Sequence, residues 1–167
     1  MKALIIENIQ VDFAPGGAFE DVDRTMSLDE LNDLMSQFDL VVLTQTSYPA
    51  LHQSFAANHP WRKPEQTIEI DGLPQTLRIM HCVEGSFGSL IISDLNQSLV
   101  QHTILKGTDP NIDVDNAFYD FGNQRDTGLD ALLKQYQITD VRIEGWTESV
   151  AKSRRVAIHK GYNLINA

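Results

Sequence analysis

Few side chains in this sequence stand where their chemistry could be used. Lys106 closes the apolar run "HTILK" and precedes Gly107-Thr108-Asp109-Pro110, a turn signal. A lysine at the end of such a strand can stabilise charge or exchange a proton; the alternative reading is a solvated strand-end lysine. Ser149 follows the "GWTE" turn and opens the helical pattern "SVAKSRRVAIHKG". A nucleophile there feels the positive end of the helix, whose free N–H groups around Thr147 to Ser149 can receive an oxyanion. A cysteine at such a place ionises near neutrality, whereas a serine needs an adjacent general base. The competing reading makes Ser149 a helix N-cap.

The stretch "ALIIENIQVDF" brings an acid-amide pair to the end of another apolar run. Asn8 can donate and accept hydrogen bonds but cannot abstract a proton, so its role would be orientation. Strand side chains alternate faces, so with Asn8 at the rim Glu7 points elsewhere unless the strand has already ended. Asp12 lies beyond the turn, which leaves the triad incomplete. Of five histidines, His52 and His81 could approach the same rim, while His102 and His159 suit structural roles. Two histidines with no certain third ligand are a weak metal signal, and no cofactor is implied.

These groups need elements that hold them together. Strand-like runs recur at "ALII", "DLVVLT", "HTILK", "DVRIEG" and "GYNLI". They are continuous rather than alternating, the mark of a parallel sheet covered on both faces. Between them, "SLDELNDLMSQF" opens with Ser27 and Glu30 at capping-box spacing, and "TGLDALLKQYQ" repeats that spacing with Thr127 and Asp130. The pattern that Ser149 opens stops at Gly161, a C-terminal cap signal. An open, doubly wound three-layer α/β/α sheet of about six strands is expected, with ligands bound past the carboxyl ends of the strands. Asn8, Thr44 to Tyr48, Lys106 and Gly145 to Ser149 would share that rim. The segment from Pro49 to Leu77 has little periodicity and is expected to fold over it.

Residues 1–167 fit one domain, with no secretory signal pattern and no apolar run of the ~20 residues a membrane helix needs. The expectation is a soluble, cytoplasmic protein. A formal net charge of −10 argues against nucleic acid and anionic membranes as partners, and leaves a small-molecule substrate or ligand. The single cysteine, Cys82, excludes an internal disulfide framework and reads as a small buried hydrophobe.

Five stretches resemble the isochorismatase-like hydrolases, the family that contains the nicotinamidases: "ALIIENIQVDFAPGGA", "VVLTQTSYPALHQSFAANH", "MHCVEGSFG", "LKGTDPNIDVDNAF" and "EGWTESV…AIHKGY". The resemblance implies a six-stranded parallel sheet and an active site at the strand ends, often near a subunit interface, so that a homo-oligomer is among the expected partners. Family members run longer, so a last helix is expected to be missing or short. The family lysine matches Lys106. The family aspartate has become Asn8, and the cysteine nucleophile is matched by Ser149, or by Ala151 when counted forward from Gly145. Of the four metal-site positions, two have become Thr46 and Tyr48, while His52 and His81 remain. Phe13 matches the aromatic residue that stacks on substrate, and Arg78 replaces a tryptophan. These departures argue against nicotinamidase itself. Two functions stay open. One is a divergent hydrolase of a small amide or related metabolite, using Ser149, Lys106 and Asn8, with Phe13, Arg78 and Thr147 on the substrate. The other is a catalytically silent member that keeps the pocket as a binding module for a small molecule or a protein. Without a carboxylate at position 8, Lys106 would lack its anionic partner and would itself serve as the base for Ser149.

Overall fold

A computed structural model describes residues 1–20, 24–121 and 124–165. The apolar runs form β1 (Lys2–Glu7), β2 (Leu40–Thr46), β5 (His102–Lys106), β6 (Asp140–Gly145) and the short β7 (Asn163–Leu164). All pair in parallel, in the order β5-β2-β1-β6-β7. The expected open α/β sheet is therefore present, with five strands in the main sheet among the described residues where about six were expected.

The period-2 alternation of β1 sorts the core. Ala3 and Ile5 face one side and pack with α2 (Leu129–Gln135) and α3 (Ser149–His159), through Leu129, Leu133, Val150 and Ala157. Leu4 and Ile6 face the other side, against Leu31 and Met35 of α1 (Leu28–Met35). Because both faces are covered, the strands read as unbroken apolar runs.

The predicted caps meet different fates. Ser27 and Glu30 form a reciprocal capping box at the start of α1. Gly161 adopts φ +91°, and the N–H of Tyr162 closes α3 on the carbonyl of Ala157 at 3.0 Å. Thr127 does not cap α2: Gly128, at φ +88°, takes that place, and the Thr127 hydroxyl donates to the carbonyl of Ala117 at 2.7 Å. Asp130 instead binds Lys134, Lys160 and Tyr162.

The segment from Pro49 to Leu77 contributes a separate antiparallel hairpin, β3 (Thr67–Ile70) and β4 (Leu73–Thr76). Its turn is Asp71-Gly72, both at positive φ (+52° and +79°), which is hairpin turn chemistry. Glu65 and Thr76 from this segment line the cavity at the strand ends, as expected of a stretch folded over the rim. Among the described residues no helix is long and apolar enough to cross a membrane.

The chain steps outward from β1 through β2 to β5, then returns to lay β6 on the other side of β1. Strand order therefore reverses between β1 and β6, the position where open α/β sheets form their crevice. Glu7 ends β1, and the turn after β6 leads straight to Ser149.

Candidate active site

At the end of β1 the pairing partners are Glu7 with Thr44 on one side and Gly145 on the other. Glu7 follows Ala3 and Ile5 in the odd series, so its side chain falls on the α3 face. The neighbouring Asn8 has φ +59°, a left-handed conformation that Asn tolerates better than most residues. The strand ends there and alternation ends with it. Both neighbours then reach the same group. Glu7 Oε2 accepts from Ser149 Oγ at 2.9 Å, and Asn8 Nδ2 approaches Ser149 Oγ at 3.5 Å.

This corrects the placement of the acid. The expectation turned Glu7 away and left Lys106 unpartnered. Instead Lys106 Nζ donates to Glu7 Oε2 at 3.0 Å, with both side chains 0% exposed. No hydrogen bond joins Lys106 directly to Ser149; one carboxylate oxygen serves both. Glu7 Oε1 is buried and has no hydrogen-bond partner among the described residues. Gly145 makes the approach possible: a Cβ there would lie 2.8 Å from Glu7 Cβ and collide with the Glu7 carbonyl oxygen.

Ser149 is the first residue of α3 and does not cap it; Glu148 is the N-cap, with no side-chain capping bond. The Ser149 hydroxyl lies 2.6 Å from Thr147 Oγ1, which also accepts from Asn8 Nδ2 at 2.8 Å. Asn8 Oδ1 in turn accepts from Thr46 Oγ1 at 3.1 Å. The N–H groups of Thr147, Glu148 and Ser149 have no acceptor among the described residues, as expected of a helix's first turn. Ser149 lines the cavity, whereas Ala151 lies on the exposed side of α3. Of the two candidate positions, Ser149 is the one that faces the cavity.

The cavity encloses about 760 Å³ and is walled by Asn8, Phe13, Phe19, Arg78, His81 and Ser149 among others. Its aromatic side is continuous. Phe19 stacks on His81 at 4.7 Å between ring centroids, and Phe13 meets both rings edge-on at 6.1 and 5.8 Å. Asp12 anchors this loop by accepting from the Cys82 N–H at 2.6 Å. Cys82 is fully buried, and burial with the Asp12 carboxylate pushes its thiol well above the ordinary range.

The remnant metal positions do not fit a metal. His52 spends both ring nitrogens, on Ser54 Oγ at 2.8 Å and the Ile112 carbonyl at 3.1 Å. His81 uses Nδ1 on the Ile79 carbonyl at 2.9 Å. Burial lowers the pKa of both, so both are neutral imidazoles at pH 7. Tyr48 donates its hydroxyl to Asp113 Oδ1 at 2.9 Å, and burial, with Asp113, raises its pKa well above normal, so it offers no phenolate. Among the described residues no three His, Cys, Asp or Glu side chains gather as a ligand set.

Of the residues expected at the rim or on the substrate, Asn8, Phe13, Arg78, Thr147 and Ser149 line the cavity, while Lys106 is buried and does not. Glu7 and Asp113 were not read as site residues. The signal for Glu7 was Asn8 itself, a residue type that enters the left-handed region more readily than most and there breaks the alternation of the strand.

No family model matches the chain. It is 36% identical over 143 residues to the nicotinamidase of Acinetobacter baylyi, covering 86% of this chain and 67% of that protein. With the Escherichia coli nicotinamidase it shares 33% over 148 residues, covering 86% and 69%. Among solved structures, the Acinetobacter baumanii nicotinamidase pyrazinamidase superposes with a TM-score of 0.85 at 33% identity, covering 99% of this chain and 86% of that one. Sequence and fold together place the chain in the isochorismatase-like hydrolase family, among the relatives of the nicotinamidases.

Proposed function

We propose that the protein is a hydrolase of a small amide, with Ser149 as nucleophile and Glu7, paired with Lys106, as its base. The relatives it resembles are nicotinamidases, which supports an amide as the substrate class. The observation that carries this reading is the line Lys106 Nζ, Glu7 Oε2, Ser149 Oγ, with contacts of 3.0 and 2.9 Å, ending at a cavity. It supplies the adjacent base that a serine requires.

Ser149 Oγ attacks the amide carbon as its proton passes to Glu7 Oε2. Lys106 pairs with the same carboxylate oxygen beforehand. The carbonyl oxygen, now negative, is received by the N–H groups of Thr147 to Ser149 at the positive end of α3. Collapse of the intermediate breaks the C–N bond, and Glu7 returns the proton to the leaving amine. Water then attacks the acyl-serine with Glu7 again as base, releasing the acid and restoring Ser149. Asn8 and Thr147 orient the hydroxyl through their chain of hydrogen bonds. No step passes through a metal.

A binding module without turnover is the second reading, supported by the full burial of Glu7 and Lys106 beneath Ser149. Screening amide, ester and vinyl-ether substrates, with Ser149→Ala and Lys106→Ala as controls, separates the two. Turnover lost in both variants, with an acyl adduct on Ser149 seen by mass spectrometry, is expected. Turnover unchanged from the parent in both variants would remove the mechanism; absence of turnover by the parent on every substrate would favour the binding module.

A further inference from the structure

Arg78 is held in the cavity wall by its own backbone. Its N–H donates to the Ser54 carbonyl at 2.7 Å, and its carbonyl accepts from the Ala56 N–H at 2.9 Å. Its side chain is 31% exposed and faces the same cavity as Ser149. Among the described residues, one carboxylate oxygen comes within 4 Å of the guanidinium: Asp113 Oδ2, at 3.8 Å, beyond hydrogen-bond reach. Asp113 is already engaged. Its two oxygens accept from the Tyr48 hydroxyl at 2.9 Å, Gln75 Nε2 at 3.1 Å and the Val114 N–H at 2.8 Å. The guanidinium thus makes no hydrogen bond among the described residues, and its donors open on the cavity rather than into the packed interior, where a ligand can take them.

The other charged groups around the cavity do not supply the missing acceptor. Asp115 is taken by Lys152 at 3.0 Å, and Glu20, Glu65 and Glu148 are exposed and lie beyond 4 Å of the guanidinium. His81 is neutral. What suits a planar fork of N–H donors at this depth is a planar oxyanion, above all a carboxylate held by two parallel hydrogen bonds.

We infer that Arg78 anchors a carboxylate on the substrate, so that the molecule cleaved at Ser149 is a small amide carrying a carboxylate away from the scissile bond. This deepens the amide-hydrolase reading and rests on it. The aromatic wall of Phe13, Phe19 and His81 lies on the same cavity, so a planar spacer between the two ends fits as well as an aliphatic one.

The test uses matched pairs that differ only by the anion: 3-carbamoylbenzoate against benzamide, and succinamate against butyramide. Binding is measured by calorimetry on the Ser149→Ala protein, which needs no turnover. In at least one pair the carboxylate member is expected to bind about 10- to 100-fold more tightly, the scale of a charged hydrogen-bonded contact. Arg78→Met should erase that preference, and Arg78→Lys should retain part of it. In the protein with Ser149 intact, Arg78→Met should raise KM for the acid amide far more than it lowers kcat. No preference for the carboxylate in either pair would overturn the inference, and so would a preference unchanged by Arg78→Met. Arg78-dependent binding without hydrolysis would keep the anion subsite and remove the hydrolase reading instead.

Discussion

Glu7→Gln keeps the shape of the side chain and removes its charge, which isolates what that charge does. Glu7 and Lys106 are both 0% exposed and 3.0 Å apart. Removing one partner of a buried pair costs about 3–5 kcal/mol, because the charge left behind has neither water nor counterion. A chain of this size loses about 2–4 °C of Tm per kcal/mol, so a fall of roughly 6–20 °C is expected. The amide oxygen of Gln could still accept from Lys106 or Ser149, which favours the lower end. Lys106→Met and Glu7→Leu should each cost a similar amount. The pair Glu7→Leu with Lys106→Met removes both charges and should be clearly more stable than the sum of the single effects. Urea unfolding can be followed through Trp146, which is buried beneath Arg24 at 4.5 Å, against the fully exposed Trp61. At temperatures where Glu7→Gln is still folded, hydrolysis should drop by about 100-fold or more, the range of general-base catalysis. A cost under about 1 kcal/mol, or a double variant no better than the summed singles, would refute the reasoning from the buried pair.

Other perturbations probe neighbouring parts of the site. Ser149→Cys should be alkylated by iodoacetamide in the folded protein. The parent, whose lone thiol Cys82 is buried, should react only on unfolding; mass spectrometry reads both. Gly145→Ala should destabilise by about 1–3 kcal/mol, since the added methyl meets Glu7 and the strand must shift; a Tm unchanged from the parent would contradict the close packing. His52 and His81 have folded pKa values below the unfolded value of about 6.5, so the unfolded state binds more protons between the two. Their contribution is therefore fully present above that unfolded value and is lost as pH falls through the lower folded values. Unfolding midpoints measured from pH 7.5 down to 4.5 should show this decline, with a limiting slope of about 1.4 kcal/mol per pH unit for each histidine, and His81→Asn should flatten it.

Most of the scaffold could be read in advance because it obeys local rules. Continuous apolar runs gave the parallel strands, the Ser27–Glu30 spacing gave a real capping box, and Gly161 closed α3. The hairpin β3–β4 escaped because its strands are short and only partly buried, although Asp71-Gly72 was a sufficient turn signal. Thr127 showed why spacing alone is weak. A glycine at position 128 took the cap, and the threonine turned to carbonyls brought in from another part of the chain. At the site, residue types identified Lys106 and Ser149, but their link runs through Glu7, and a single left-handed residue decided where that side chain went. Arg78 could be placed near the rim by resemblance. That its donors are unspent depends on Asp113, some 35 positions away, being occupied by others.

The neighbouring Glu7 and Asn8 also constrain how this site could change. Asn8→Asp alone would put a second carboxylate beside Ser149 with only one buried lysine to balance the two, and like charges so placed resist joint ionisation. Replacing Glu7 alone by an apolar residue would strand Lys106 without a counterion. Each single step towards an aspartate at position 8 therefore descends before it climbs. The two arrangements of acid and amide are separated by a valley on the mutational landscape, whose depth is set by the buried ion pair of Glu7 with Lys106.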